Sequence, residues 1–250
     1  MRSIEFIGAP GAGKSYYKKQ LEDYLLKKKL QTYSHSKVFY NYYSNQKKKL
    51  SLLKYFKFKI KFFLINFDNF FIRFLNENYD NLIKFEEEIQ QVNKDSNNQL
   101  FLKYYFDNLK IKNNLQTLKL KKWLNIETAA ICLSKKINNK KKILINSEGA
   151  LQRLIRLIIN KDRHLSVNLL KKIKYSKFES DIIIFVNTSP EICKLRVDKR
   201  FKNKFKKTEI QKFYKKSKFI YDLSNKKKFI INKNKNMSKL FFKIYENIAH

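Results

Sequence analysis

IEFIGAPGAGKSYYKK, residues 4–19, decides the fold. A short apolar run, SIEFI at 3–7, reads as a buried strand. A turn over Gly8–Gly13 follows, and from Lys14 the spacing of Tyr17, Leu21, Tyr24, Leu25 and Leu30 predicts a helix. The chain has only four glycines, and Gly8, Gly11 and Gly13 all fall in this turn. Pro10, one of two prolines, stands among them.

Gly8, Ala9, Pro10, Gly11, Ala12, Gly13, Lys14 and Ser15 match G-x-x-x-x-G-K-[ST], with a strand before and a helix after, as that motif requires. Glycine lets the backbone approach a phosphate closely and take positive φ. Consecutive N–H groups then line an anion-sized nest, and the helix adds the positive end of its dipole. The motif gives Lys14 the β- and γ-phosphates of ATP and Ser15 a place on Mg²⁺.

The rest of the chain reads as strands alternating with helices. Ile143–Ile145 is a short strand that runs through NSEG, 146–149, into a helix. DIIIFVN, 181–187, is a strand buried on both faces. TSPEICKLRVDKR begins a helix with Thr188 or Ser189 near its cap and Pro190 in its first turn. A helix over 208–223, a strand in KKFIIN and a helix over 238–249 close the chain, and QTYSHS, 31–36, is a candidate second strand. The pattern predicts one α/β domain over residues 1–250, a parallel sheet flanked by helices. A mainly helical insertion over 37–137 is expected, with helices at 47–75, 79–93, 99–122 and 124–137. A further helix is expected at 168–175.

Composition narrows the function. Net charge is +35, which on its own points to nucleic acid or an anionic membrane surface. Of the 56 basic residues only seven are arginine, however, and a dedicated nucleic-acid groove favours arginine for its planar grip. Lysine here reads as general surface filler beside abundant Asn, Ile, Phe and Tyr. Cys132 and Cys193 fit no zinc or redox spacing, and the histidines do not cluster. Glu5 interrupts the only apolar stretch at the N-terminus, so no signal segment is expected, and the chain reads as cytoplasmic.

The scarce polar signals point to one edge of the sheet. Glu148 follows the strand ending at Ile145, where a carboxylate can meet Mg²⁺ through water or accept a hydroxyl proton. Arg196 and Arg200 are four apart on one helix face and can clamp phosphoryl oxygens. Arg153 and Arg156 lie just beyond Glu148, in reach of an acceptor.

In this order, GAPGAGKS, NSEG, DIIIFV, SPEICKLRVDKR and KKFIIN resemble the P-loop kinases of small molecules, the family of adenylate, thymidylate and deoxynucleoside kinases. The resemblance implies ATP and Mg²⁺ as cofactors, Lys14 and Ser15 as phosphate and metal residues, and Glu148 as the acidic residue after the third strand. It also implies Arg196 and Arg200 as lid arginines and phosphoryl transfer to a nucleotide, nucleoside, sugar or alcohol. The chain has no D-G-x-P-R or D-R-[YS] signature, so the acceptor stays open. A nucleic-acid- or membrane-associated NTPase and a non-catalytic nucleotide-binding protein are the alternatives. A GTPase is disfavoured, because INKNKN at 231–236 lacks the aspartate of N-K-x-D.

Overall fold

The computed structural model describes residues 1–44, 86–95, 115–159, 179–201, 205–232 and 236–249. Strand β1 (Arg2–Ile7) leads through the glycine turn into helix α1 (Lys14–Lys27). Then come β2 (Gln31–Tyr33), α2 (His35–Ser44), α3 (Glu86–Asp95) and α4 (Leu115–Lys136). Next are β3 (Lys142–Asn146), α5 (Ala150–Ile158), β4 (Ile182–Val186) and α6 (Pro190–Arg200). Helix α7 (Lys207–Leu223), β5 (Lys227–Ile231) and α8 (Met237–Ala249) end the chain.

The five strands form one sheet in the order β2-β3-β1-β4-β5, and every pair is parallel. The expected parallel α/β sheet is therefore present. Parallel strands need helical crossovers, and these cover both faces. All five residues of β4, Ile182–Val186, are buried, as are the last five of β1. Helices α1 and α8 pack together, with α1 against β1 and β3. Helices α4 and α5 pack against β1 and against each other, and α7 covers β4. From β1 the chain moves to β2 and β3 on one side, then to β4 and β5 on the other. Strand order thus reverses at β1, and the crevice at such a point receives ligands in open α/β sheets. The glycine turn stands there.

Local sequence explains where elements stop. Helix α1 ends with Lys29 at φ 61, while Leu30 N–H donates to Leu25 O and Lys29 N–H to Leu26 O. This pair of hydrogen bonds is the usual glycine-terminated helix stop, here built without glycine. Ser189 caps α6, its Oγ accepting from Ile192 N–H at 3.5 Å, and Pro190 follows, as expected.

Two expectations change. The second strand ends at Tyr33, and His35 already belongs to α2. The expected helices 99–122 and 124–137 meet in one continuous α4 within the described residues, because no glycine or proline lies between Leu115 and Lys136 to interrupt it. The expected helices at 47–75 and 168–175 lie outside the described residues, as does most of the proposed insertion. No helix of the described residues is long and apolar enough to cross a membrane.

Candidate active site

The glycine turn holds Gly8, Gly11 and Gly13, all at positive φ. Gly13, at φ 100, precedes α1 without a side-chain cap, and the first turn of α1 holds no acidic residue. The leading N–H groups of that turn thus have no carboxylate competing for them. Lys14 is buried and donates through Nζ to Gly8 O (3.0 Å) and Ala9 O (3.1 Å). Burial lowers its pKa to about 8, with Arg156 and Arg153 acting the same way and Glu148 opposing them. These features fit a nucleotide phosphate in the loop.

Helix α6 braces the other side of the loop. Thr188 Oγ1 donates to Ala12 O at 2.9 Å. Arg196 Nη1 lies 3.3 Å from Ala12 O and 3.4 Å from Gly11 O. Gly11, at φ 80, packs so tightly that a Cβ would stand 2.9 Å from Val197 Cγ2 and clash with the Cys193 carbonyl. The missing Cβ at Gly11 therefore serves close contact with α6. Arg200, one turn beyond Arg196, is exposed at the end of the helix.

Glu148 stands between β3 and α5, with its side chain a third exposed. Arg153 Nη1 donates to its Oε2 at 3.0 Å, and Arg156 Nη2 donates to Oε1 at 2.9 Å and Oε2 at 3.0 Å. Burial alone would raise its pKa, but Arg156, Lys14 and Arg153 together hold the carboxyl below the usual range. The structure thus brings Lys14, Glu148, Arg153 and Arg156 into one electrostatic cluster. Both Glu148 oxygens already accept from arginines, whereas Ser15 is exposed beside the loop. Among the described residues no His, Cys, Asp or Glu cluster could hold a metal by itself.

Several buried polar residues lie behind this cluster. Gln152 Oε1 accepts from Gly8 N–H at 3.0 Å, while Gln152 N–H donates to Glu5 Oε1 at 2.8 Å. Gly149 makes room for Glu5, because a Cβ there would stand 2.6 Å from Glu5 Cδ. His35 Nε2 approaches Glu127 Oε2 to 2.5 Å, and Glu127 Oε1 is 4.0 Å from Arg153 Nε. The Arg153 guanidinium lies over the Trp123 ring, 4.6 Å from its centroid. Sequence reasoning did not single out His35, Glu127 or Gln152. The available signal was polarity out of place: Glu127 sits within the run NIETAAICL, and Glu5 within a buried strand.

A strand, a glycine loop and a helix at the reversal point of a 2-3-1-4-5 parallel sheet define a P-loop α/β fold. No protein-family model matches the chain, and no curated protein matches it. Solved structures similar to it include three of deoxyadenosine kinase from M. mycoides. One, with the products dCMP and a flexible dCDP bound, is 13% identical over 98% of each chain with a TM-score of 0.47. Another, with bound dATP, is 13% identical over 100% of each chain with a TM-score of 0.48. The third, with bound dCTP, is 14% identical over 99% of this chain and 98% of that one, with a TM-score of 0.45.

Proposed function

We propose that this protein is a P-loop kinase that transfers the γ-phosphoryl group of ATP to a hydroxyl of a small molecule. The observation that carries the reading is the ionised Glu148, held by Arg153 and Arg156 and electrostatically coupled to Lys14 of the loop. A phosphate-binding loop alone signals nucleotide; a fixed carboxylate at the end of the neighbouring strand adds a place for an acceptor.

When bound, ATP supplies the phosphoryl group and Mg²⁺ offsets its charge. The loop N–H groups and Lys14 bind and orient the phosphates, and Ser15 offers its hydroxyl to the metal. Glu148 accepts a hydrogen bond from the acceptor hydroxyl and aims it. Its low pKa makes it a weak base, which suffices because phosphoryl transfer rests mainly on positioning and charge neutralisation. As the new O–P bond forms and the bond to the leaving ADP breaks, the hydroxyl turns acidic and its proton passes to the Glu148 carboxylate and from there to solvent. Arg196 stands beside the loop, where a guanidinium meets charge developing on the phosphoryl oxygens. Arg200 is assigned to the same lid helix and needs a shift toward the loop to join in.

The segment between β2 and β3 supplies the acceptor side in this reading. ATP chemistry and two buried cysteines outside any disulfide suit the reducing cytoplasm. The test is Glu148→Gln. It should keep ATP bound within about 3-fold yet lower turnover by roughly 10²-fold or more, in the range for losing one positioned catalytic group. Unchanged turnover would remove Glu148 from the reaction.

A further inference from the structure

Glu127 is a wholly buried carboxylate on the packed face of α4. A carboxyl so deeply buried needs polar partners. Two of its neighbours come from other elements: His35 from α2 and Arg153 from α5. Helix α2 begins directly after β2, and α4 directly precedes β3, so these helices are the two ends of the segment assigned to the acceptor.

Arg153 has neighbours on three sides. Nη1 bonds Glu148, Nε faces Glu127, and the flat face lies on Trp123. Only a planar guanidinium presents two edges and a face at once; lysine would meet one of these partners at a time. Its side chain is 5% exposed, so the grip is dry. The buried line of polar side chains thus runs His35, Glu127, Arg153, Glu148, from the start of α2 to the candidate reacting carboxylate.

We propose that His35 and Glu127 are positioning residues that set Arg153, and through it Glu148, so that α2 and α4 hold the candidate reacting carboxylate in place. The proposal rests on the kinase reading for its effect on turnover, but the placement of Arg153 can be measured without any activity. Trp123 is the only tryptophan in the chain, so its fluorescence reports directly on the guanidinium stacked over it.

The experiment compares the full-length wild type with Glu127→Gln, His35→Leu, His35→Gln, Arg153→Lys and the double variant Glu127→Gln/Arg153→Lys. It reads Trp123 emission, thermal unfolding, kcat and the KM for ATP. Arg153→Lys should change the emission, and Glu127→Gln and His35→Leu should change it in the same direction. In Glu127→Gln, kcat should fall roughly 10- to 100-fold with the KM for ATP within about 2-fold, as expected for a small misplacement of a reacting group. The double variant should be little worse than Arg153→Lys alone, because both changes break one chain. His35→Gln keeps an N–H that can donate to Glu127 and should restore most of what His35→Leu loses. If Glu127→Gln fails to fold, the two His35 variants decide. Folded variants with wild-type emission and wild-type kcat would overturn the proposal. Shifted emission in a protein that phosphorylates nothing, wild type included, would keep the positioning chain and discard the kinase reading.

Discussion

Replacing Glu5 by glutamine probes the polar seam between β1 and α5. Glu5 is fully buried, accepts the Gln152 N–H at 2.8 Å and lies 3.4 Å from Ser180 Oγ. Burial raises its pKa from 4.5 to about 8; the Gln152 N–H opposes the rise, and Glu127 adds to it. The folded protein therefore keeps a proton that the unfolded chain releases above about pH 4.5. Stability must fall as pH climbs from about 4.5 to about 8, and level off beyond. At about 1.36 kcal/mol per pH unit the full change is about 5 kcal/mol, of which about 3–4 kcal/mol falls between pH 5 and 8. Glutamine keeps the size, offers an N–H in place of the carboxyl O–H and does not titrate. The assay is urea unfolding of both proteins at intervals across that range. The wild type should lose about 3–4 kcal/mol relative to Glu5→Gln, while groups that titrate alike in both proteins cancel. Parallel stability curves would show that Glu5 is ionised in the fold, and the reasoning would be refuted.

Three more predictions follow from the same contacts. Lys14 has a pKa near 8, so the affinity of the free protein for ATP should fall as pH rises through that value; calorimetric titration of Lys14→Ala should show a flat pH response and a loss of about 1.5–3 kcal/mol, as for one charge-assisted bond. Arg196 touches the loop and Arg200 does not, so Arg196→Ala should cost roughly 10²–10³ in kcat, the range for one stabilising donor, and Arg200→Ala much less. Lys29→Gly should raise stability by about 0.5–1 kcal/mol in chemical denaturation, because glycine takes the positive φ that lysine holds at a cost.

What could be read in the sequence was local. The glycine loop, the buried run of β4 and the Ser189–Pro190 start of α6 each carry their signal within a few residues, and each element forms where expected. What could not be read depends on residues far apart in the chain. Gly149 reads as a turn glycine, yet its missing Cβ is what admits the carboxyl of Glu5, 144 positions earlier. Arg153 and Arg156 were expected to reach toward an acceptor; both hold Glu148, and Arg153 also faces Glu127, a partner no spacing rule connects to it. Arg196 and Arg200 share a helix face by spacing, but only the tertiary placement of α6 shows that Arg196 alone lies on the loop. In the sequence His35 falls within a candidate strand, QTYSHS at 31–36. It opens α2 instead, which is how it comes to meet α4.

The most direct test of phosphoryl transfer is mass analysis of a pooled panel of nucleosides, nucleotides, sugars and alcohols. The panel is incubated with ATP, Mg²⁺ and either the wild type or Lys14→Ala. The account predicts that with the wild type one class of acceptor gains a single phosphoryl group in step with ADP, and that Lys14→Ala forms neither product. ADP appearing without any phosphorylated acceptor, or equal product from both proteins, would contradict it.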